Sequence, residues 1–171
     1  MLYSEIHPGA VFYTVPPPSG TESTQLRHLF IVCSKALEIP LSCFSPYGER
    51  IYPKGESCHL LVNLSTATNS SRRDPRRNIT LLSRGCGPQA VTHDSCVCYE
   101  HAFLLGAAEI TERCFHWQRA LPDLTHRSLG EVLRGFDRAH IQGALTENVM
   151  EFWRVYHDVC LNLKDLHLQK S

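Results

Sequence analysis

Pro8-Gly9-Ala10-Val11-Phe12-Tyr13-Thr14-Val15, Gly20-Thr21-Glu22-Ser23-Thr24-Gln25-Leu26-Arg27 and His28-Leu29-Phe30-Ile31-Val32-Cys33-Ser34 are three stretches that decide how this chain folds. The first is a turn followed by a short alternating strand, and the third is an apolar strand. Between them Pro16-Pro17-Pro18-Ser19 cannot occupy a central strand and opens the polar loop. Glu22 and Arg27 therefore stand at the two ends of a loop that feeds directly into a strand. A guanidinium is always cationic and forks onto phosphate oxygens. A nearby carboxylate can orient it or accept a proton. A solvated surface ion pair, worth little energetically, is the plain alternative for the same residues.

Working outward, His59-Leu60-Leu61-Val62-Asn63-Leu64-Ser65-Thr66 reads as another apolar strand, this one ending in two hydroxyls. Residues 39–57 hold Pro40, Pro46, Gly48, Pro53 and Gly55 and read as an irregular excursion or loose hairpin. The segment 69–78 is a polar turn in which Arg72, Arg73, Arg76 and Arg77 surround Asp74-Pro75. Ile79-Thr80-Leu81-Leu82 restarts the sheet, Arg84-Gly85-Cys86-Gly87-Pro88 ends it, and Asp94–Tyr99 is a further strand.

The second half changes period. Ser128-Leu129-Gly130-Glu131 has the form of a capping box, and Leu129, Val132, Leu133 and Phe136 follow at helical spacing. Beyond Gly143, Thr146 is the expected N-cap of a second helix. Its apolar stripe is Val149, Phe152, Trp153, Tyr156, Val159, Cys160 and Leu163, with Glu147, Glu151, Arg154 and Asp158 off it. The stripe reads as core.

The Gly-led first strand, the Gly-x-Glu-x4-Arg loop, the hydrophobic second strand and the strand closing in Ser-Thr resemble the MazF/PemK (Kid-like) type II toxin family. The resemblance covers about residues 7 to 110, with an interruption. It implies a small SH3-like antiparallel β-barrel over residues 1–110; the helical spacing adds an extension over 111–171, which is extra to that family, so the chain is expected to be α+β. That extension packs on the barrel or forms a dimer or partner surface. The chain departs from the family at Ala10, where Asp is usual, at His28, where Pro is usual, and in its longer link over residues 35–57.

Composition bounds the function. With 43% hydrophobic and 20% charged residues the chain is ordinary for a globular protein. Lys and Arg total 17 against 17 Asp and Glu, so nucleic acid would have to be gripped by a local patch, such as the four arginines of 72–77. The apolar runs fall short of a membrane span, and the N-terminus lacks a signal-peptide pattern. A cytoplasmic protein is expected. There, eight scattered cysteines behave mainly as small hydrophobes. Cys86, His93, Cys96 and Cys98 are the candidate zinc ligands, but they form no standard zinc spacing, so neither metal nor other cofactor is expected. His93-Asp94-Ser95 has the residue types of a hydrolase triad, yet adjacent residues cannot take up its geometry. A cysteine paired with a distant histidine stays open.

The family resemblance implies a metal-independent endoribonuclease acting on single-stranded RNA. The ribose 2′-hydroxyl attacks the adjacent phosphate, leaving a cyclic phosphate and a 5′-hydroxyl. Carried onto this chain, Arg27 faces the developing charge, Glu22 orients it or handles a proton, and Ser65, with Thr66 as the substitute, is the catalytic hydroxyl. Apart from the family, Arg72, Arg73, Arg76 and Arg77 are candidate RNA contacts or a solvated turn. His28 is a candidate RNA contact, acid or base, with packing the alternative because its side chain should point away from that of Arg27 on a regular strand. Phe12, Tyr13 and Tyr47 are candidate stacking surfaces. A homodimer silenced by an antitoxin protein is expected. The second reading is a catalytically inactive MazF-like module, such as a phage or plasmid factor gripping a protein or nucleic acid. Ala10, His28 and the helical extension count for it.

Overall fold

The computed structural model describes residues 6–14, 28–46, 50–66, 79–82, 95–114 and 123–160. Nine strands and three helices occur among them, giving an α+β fold in which every strand pairing is antiparallel.

The sheet is organised by its longest strand. Leu60, Leu61 and Val62 are consecutive and all fully buried, so both faces of this segment are covered. An uninterrupted apolar run is what such a strand requires. It forms β6 (Ser57–Thr66), ten residues and about 30 Å long. Before it come β1 (Val11–Thr14), β2 (His28–Val32), β3 (Leu37–Glu38), β4 (Cys43–Phe44) and β5 (Ile51–Tyr52). After it come β7 (Ile79–Leu82), β8 (Ser95–Cys98) and β9 (Phe103–Leu105). The main sheet runs β1-β2-β6-β8-β7, while β3 and β9 pair with other parts of β6. The excursion over 39–57 does contain a hairpin ladder, β4 with β5, which is a separate two-stranded sheet.

Three helices follow: α1 (Ala107–Cys114), α2 (His126–Ile141) and α3 (Glu147–Cys160). Strand β9 and helix α1 were not expected from the sequence, and α1 spans the division drawn at residues 110/111. The start of α2 also differs from expectation. Thr125, not Ser128, is the N-cap, and its hydroxyl accepts from the Ser128 backbone N–H at 3.2 Å. Ser128 lies inside the first turn, so the Ser-x-x-Glu match was off by one turn. Glu131 instead lies 3.7 Å from Arg127, one turn earlier on the same surface.

Leu129, Val132, Leu133 and Phe136 are buried as their spacing predicts. On α3, Val149, Phe152, Trp153 and Tyr156 are buried, but Val159 is 62% exposed and leaves the stripe. Leu163 lies outside the described residues. Gly143 joins the two helices with φ 68°, a left-handed conformation that suits glycine.

Sheet and helices share one core. Phe136 stacks on Trp153 at 5.0 Å between centroids and meets the edge of Tyr99 at 4.8 Å. The Tyr99 hydroxyl donates to the Val132 carbonyl at 2.8 Å, fixing α2 against the segment between β8 and β9. The Lys35 backbone N–H donates to the Tyr156 hydroxyl at 3.3 Å, tying α3 to the end of β2. Near the N-terminus, the Leu124 N–H donates to the Gly9 carbonyl at 2.9 Å and His7 pairs with Asp123 at 2.6 Å.

Candidate functional site

The register of β2 on β6 determines which sequence-predicted site residues meet. Leu29 opposes Leu64, Phe30 opposes Asn63, and Ile31 opposes Val62. The first residue of β2, His28, and the penultimate residue of β6, Ser65, are each one step beyond the Leu29–Leu64 pair. Directly opposed residues in an antiparallel ladder have Cα atoms about 4.5–5.5 Å apart. On the outer side of β2, His28 opposes Thr14. On the other side of β6, Ser65 opposes Cys96 and Thr66 opposes Ser95. One end of the sheet thus carries Thr14, His28, Ser65, Thr66 and Ser95 on four neighbouring strands.

For His28, Ser65 and Thr66 this placement is of the backbone. Glu22, Arg27, Arg72, Arg73, Arg76 and Arg77 lie outside the described residues, as do Tyr47, Cys86 and His93. Arg27 directly precedes the first residue of β2 in the chain. Of the proposed stacking aromatics, Phe12 is corrected. It is 5% exposed and packs against Phe30 at 6.1 Å between centroids, so it is core.

Both rows of this ladder mix buried and half-buried residues. Ile31 and Val62 are fully buried, while Leu29 in the same row is half-buried. The row of His28 and Ser65 continues through Phe30 opposite Asn63, and Asn63 is only half-buried. Phe103, which opposes Leu61 in that row, is also half-buried and packs edge-on to Phe30 at 5.3 Å. Phe30, Val32 and Leu61 in that row are buried.

Three other polar arrangements are chemically distinct, and no local sequence pattern signals them. Glu109 on α1 is 4% exposed, and its carboxylate accepts from the Ser45 hydroxyl at 2.6 Å and from the Tyr52 hydroxyl. Burial, then this bond to Glu109, pushes the Tyr52 hydroxyl well above its usual range. Arg50 lies over the Tyr52 ring at 5.1 Å and bonds Glu56 at 3.1 Å. This network fastens the β4–β5 ribbon to α1.

His59 is buried on β6 with Nδ1 3.0 Å from the Ser34 carbonyl, so Nδ1 carries the donated proton. Burial holds its pKa below the ordinary value. The Ser34 hydroxyl in turn accepts from the Leu60 N–H at 2.8 Å.

Between α2 and α3 lies an open cleft of about 370 Å3, lined by Asp137, His140, Arg154, His157 and Asp158 among others. Its floor is Trp153, whose indole N–H donates to Asp137 at 3.0 Å. His157 approaches the same carboxylate oxygen at 3.6 Å.

Three of the described cysteines, Cys33, Cys43 and Cys58, are buried in the core. Burial pushes their thiols up, away from the reactive thiolate. Among the described residues no cluster of three or more His, Cys, Asp or Glu is placed to hold a metal ion. Also among them, no helix is long and apolar enough to cross a membrane.

No family model matches the chain, and no curated protein or solved structure matches it either.

Proposed function

We propose that the chain is a MazF/PemK-like endoribonuclease whose strands form an SH3-like barrel and whose site lies at the β2–β6 end of the sheet. The supporting observation is the β2–β6 register, with Leu29 opposite Leu64. That pairing brings the strand that follows Arg27 beside the strand that closes in Ser65-Thr66, two strands with 24 residues between them in sequence. The reading assigns Arg27 to the phosphate, where a forked cation opposes the charge that develops on the phosphorane. Glu22 takes the proton of the attacking 2′-hydroxyl, and Ser65 or Thr66 aligns the phosphate oxygens. Arg72, Arg73, Arg76 and Arg77 hold the flanking single strand. A homodimer and an antitoxin protein complete the reading.

The test is end-group analysis of RNA incubated with the purified protein in EDTA. The proposal expects a 2′,3′-cyclic phosphate on the upstream fragment and a 5′-hydroxyl on the downstream one. Products with a 5′-phosphate, or loss of cutting in EDTA, would contradict it.

A further inference from the structure

We infer that the cleft between α2 and α3 is a binding site for an alkylguanidinium group, carried by a small molecule or by an arginine side chain. It shares no residue with the ribonuclease site proposed above, so the two readings stand or fall separately. The cleft holds about 370 Å3, at the small end of the range for ligand pockets. Its fixed charges are two carboxylates on different helices, Asp137 of α2 and Asp158 of α3, and one guanidinium, Arg154. That guanidinium is already engaged, with Nη2 and Nε 3.0 and 3.4 Å from one oxygen of Glu151. The two aspartates are not matched in this way. Both donors near Asp137, the Trp153 indole N–H at 3.0 Å and His157 Nε2 at 3.6 Å, face the same oxygen, Oδ1. Its Oδ2 has no partner among the described residues. Asp158 has a side chain 69% exposed, and among the described residues it approaches only His157 Nδ1, at 3.9 Å, beyond hydrogen-bonding distance. The cleft therefore offers more acceptors than donors, and a cation with N–H groups complements it.

The walls select the kind of cation. Asp137 and Ile141 lie towards the C-terminal end of α2, where the helix dipole favours positive charge. Ile141 lines the cleft and is 84% exposed, whereas Trp153 is 1% exposed. An occupant thus meets an apolar side chain and carboxylate oxygens, and not the indole face. A guanidinium suits that combination. Its planar fork presents donors to two separate carboxylates, it is weakly hydrated, and its alkyl stem can lie on Ile141. An ammonium is a compact, strongly hydrated charge and must shed more water to enter.

The experiment titrates the full-length protein with n-butylguanidine, with n-butylamine and with the uncharged isostere n-butylurea. It is run at about pH 8, where an ordinary imidazole of pKa about 6.5 is neutral. The Trp153 indole N–H signal in nitrogen-15 NMR reports engagement of Asp137. A saturable shift is expected with butylguanidine, weaker binding with butylamine and none with butylurea. Asp137→Asn, which keeps an acceptor for the indole, and Asp158→Asn, at an exposed position, are each expected to weaken binding about tenfold or more, the scale of a lost charged hydrogen bond. Glu147→Gln removes an exposed carboxylate from the first turn of α3 and is expected to change Kd by no more than about twofold, since exposed charges are screened. N-acetyl-arginine amide separates the two sources. Binding equal to that of butylguanidine assigns the cleft to a peptide arginine, and much weaker binding assigns it to a free small molecule. Butylurea or butylamine binding as tightly as butylguanidine, asparagine variants that bind like wild type, or no saturable shift with any probe overturns the inference.

Discussion

At the scale of single residues, the buried polar groups carry consequences separate from RNA chemistry. Glu109 accepts hydrogen bonds from the hydroxyls of Ser45 and Tyr52, which lie 64 and 57 residues away in sequence. Tyr52→Phe removes one donor while keeping the ring. Leaving a buried carboxylate short of a donor costs about 1–3 kcal/mol, measurable by urea denaturation. A change within a few tenths of a kcal/mol would show that the Tyr52–Glu109 bond contributes nothing net. His59 gives a pH signature. Its pKa is lowered in the folded state by burial, so at low pH the unfolded chain binds this proton more readily than the folded one. The contribution of neutral His59 is therefore fully present above its unfolded value, about 6.5, and is lost as pH falls through the folded value. His59→Gln is expected to flatten the stability loss between about pH 6.5 and 5, read from denaturation midpoints. An unchanged pH slope would rule this out. Neither group was legible beforehand. Glu109 finds its partners only through the fold, and His59 alternates with apolar neighbours like any strand residue.

Elements were easier to read where a long pattern repeats. Strand β6 announces itself because Leu60-Leu61-Val62 must be covered on both faces, and α2 because Leu129, Val132, Leu133 and Phe136 share one face. Short elements carry too few residues for a period. Thus β9, with three residues, and α1, with eight, were missed. The α2 boundary shows how a motif misleads. Ser128 and Glu131 have the right spacing for a capping box, but the chain turns into the helix at Thr125. Thr125→Ala is expected to lower stability by about 1 kcal/mol. Glu131→Ala, which loses only an exposed pairing with Arg127, is expected to cost no more than about 0.5 kcal/mol. The reverse order in thermal melts would restore the capping box. On α3 the stripe holds through Tyr156, and Val159 is exposed while Cys160 beside it is partly buried against the core.

For the whole molecule, the helices and sheet bury a common set of side chains from Ile6 to Tyr156. The helical segment is therefore part of the structure that holds the sheet in register. That register places His28 beside the hydroxyl-ended strand at one end of β6. The sequence named His28, Ser65 and Thr66 individually, but their relative positions depend on strand pairing, which a linear pattern does not specify. The central claim is that this end of the sheet cuts RNA with Arg27 at the phosphate. It is tested most directly by incubating a long unstructured RNA with purified wild type and with Arg27→Ala, both in EDTA. The account predicts cleavage at defined sites by wild type and none by the variant. A folded wild type, free of any inhibitor, that leaves the RNA intact would contradict it.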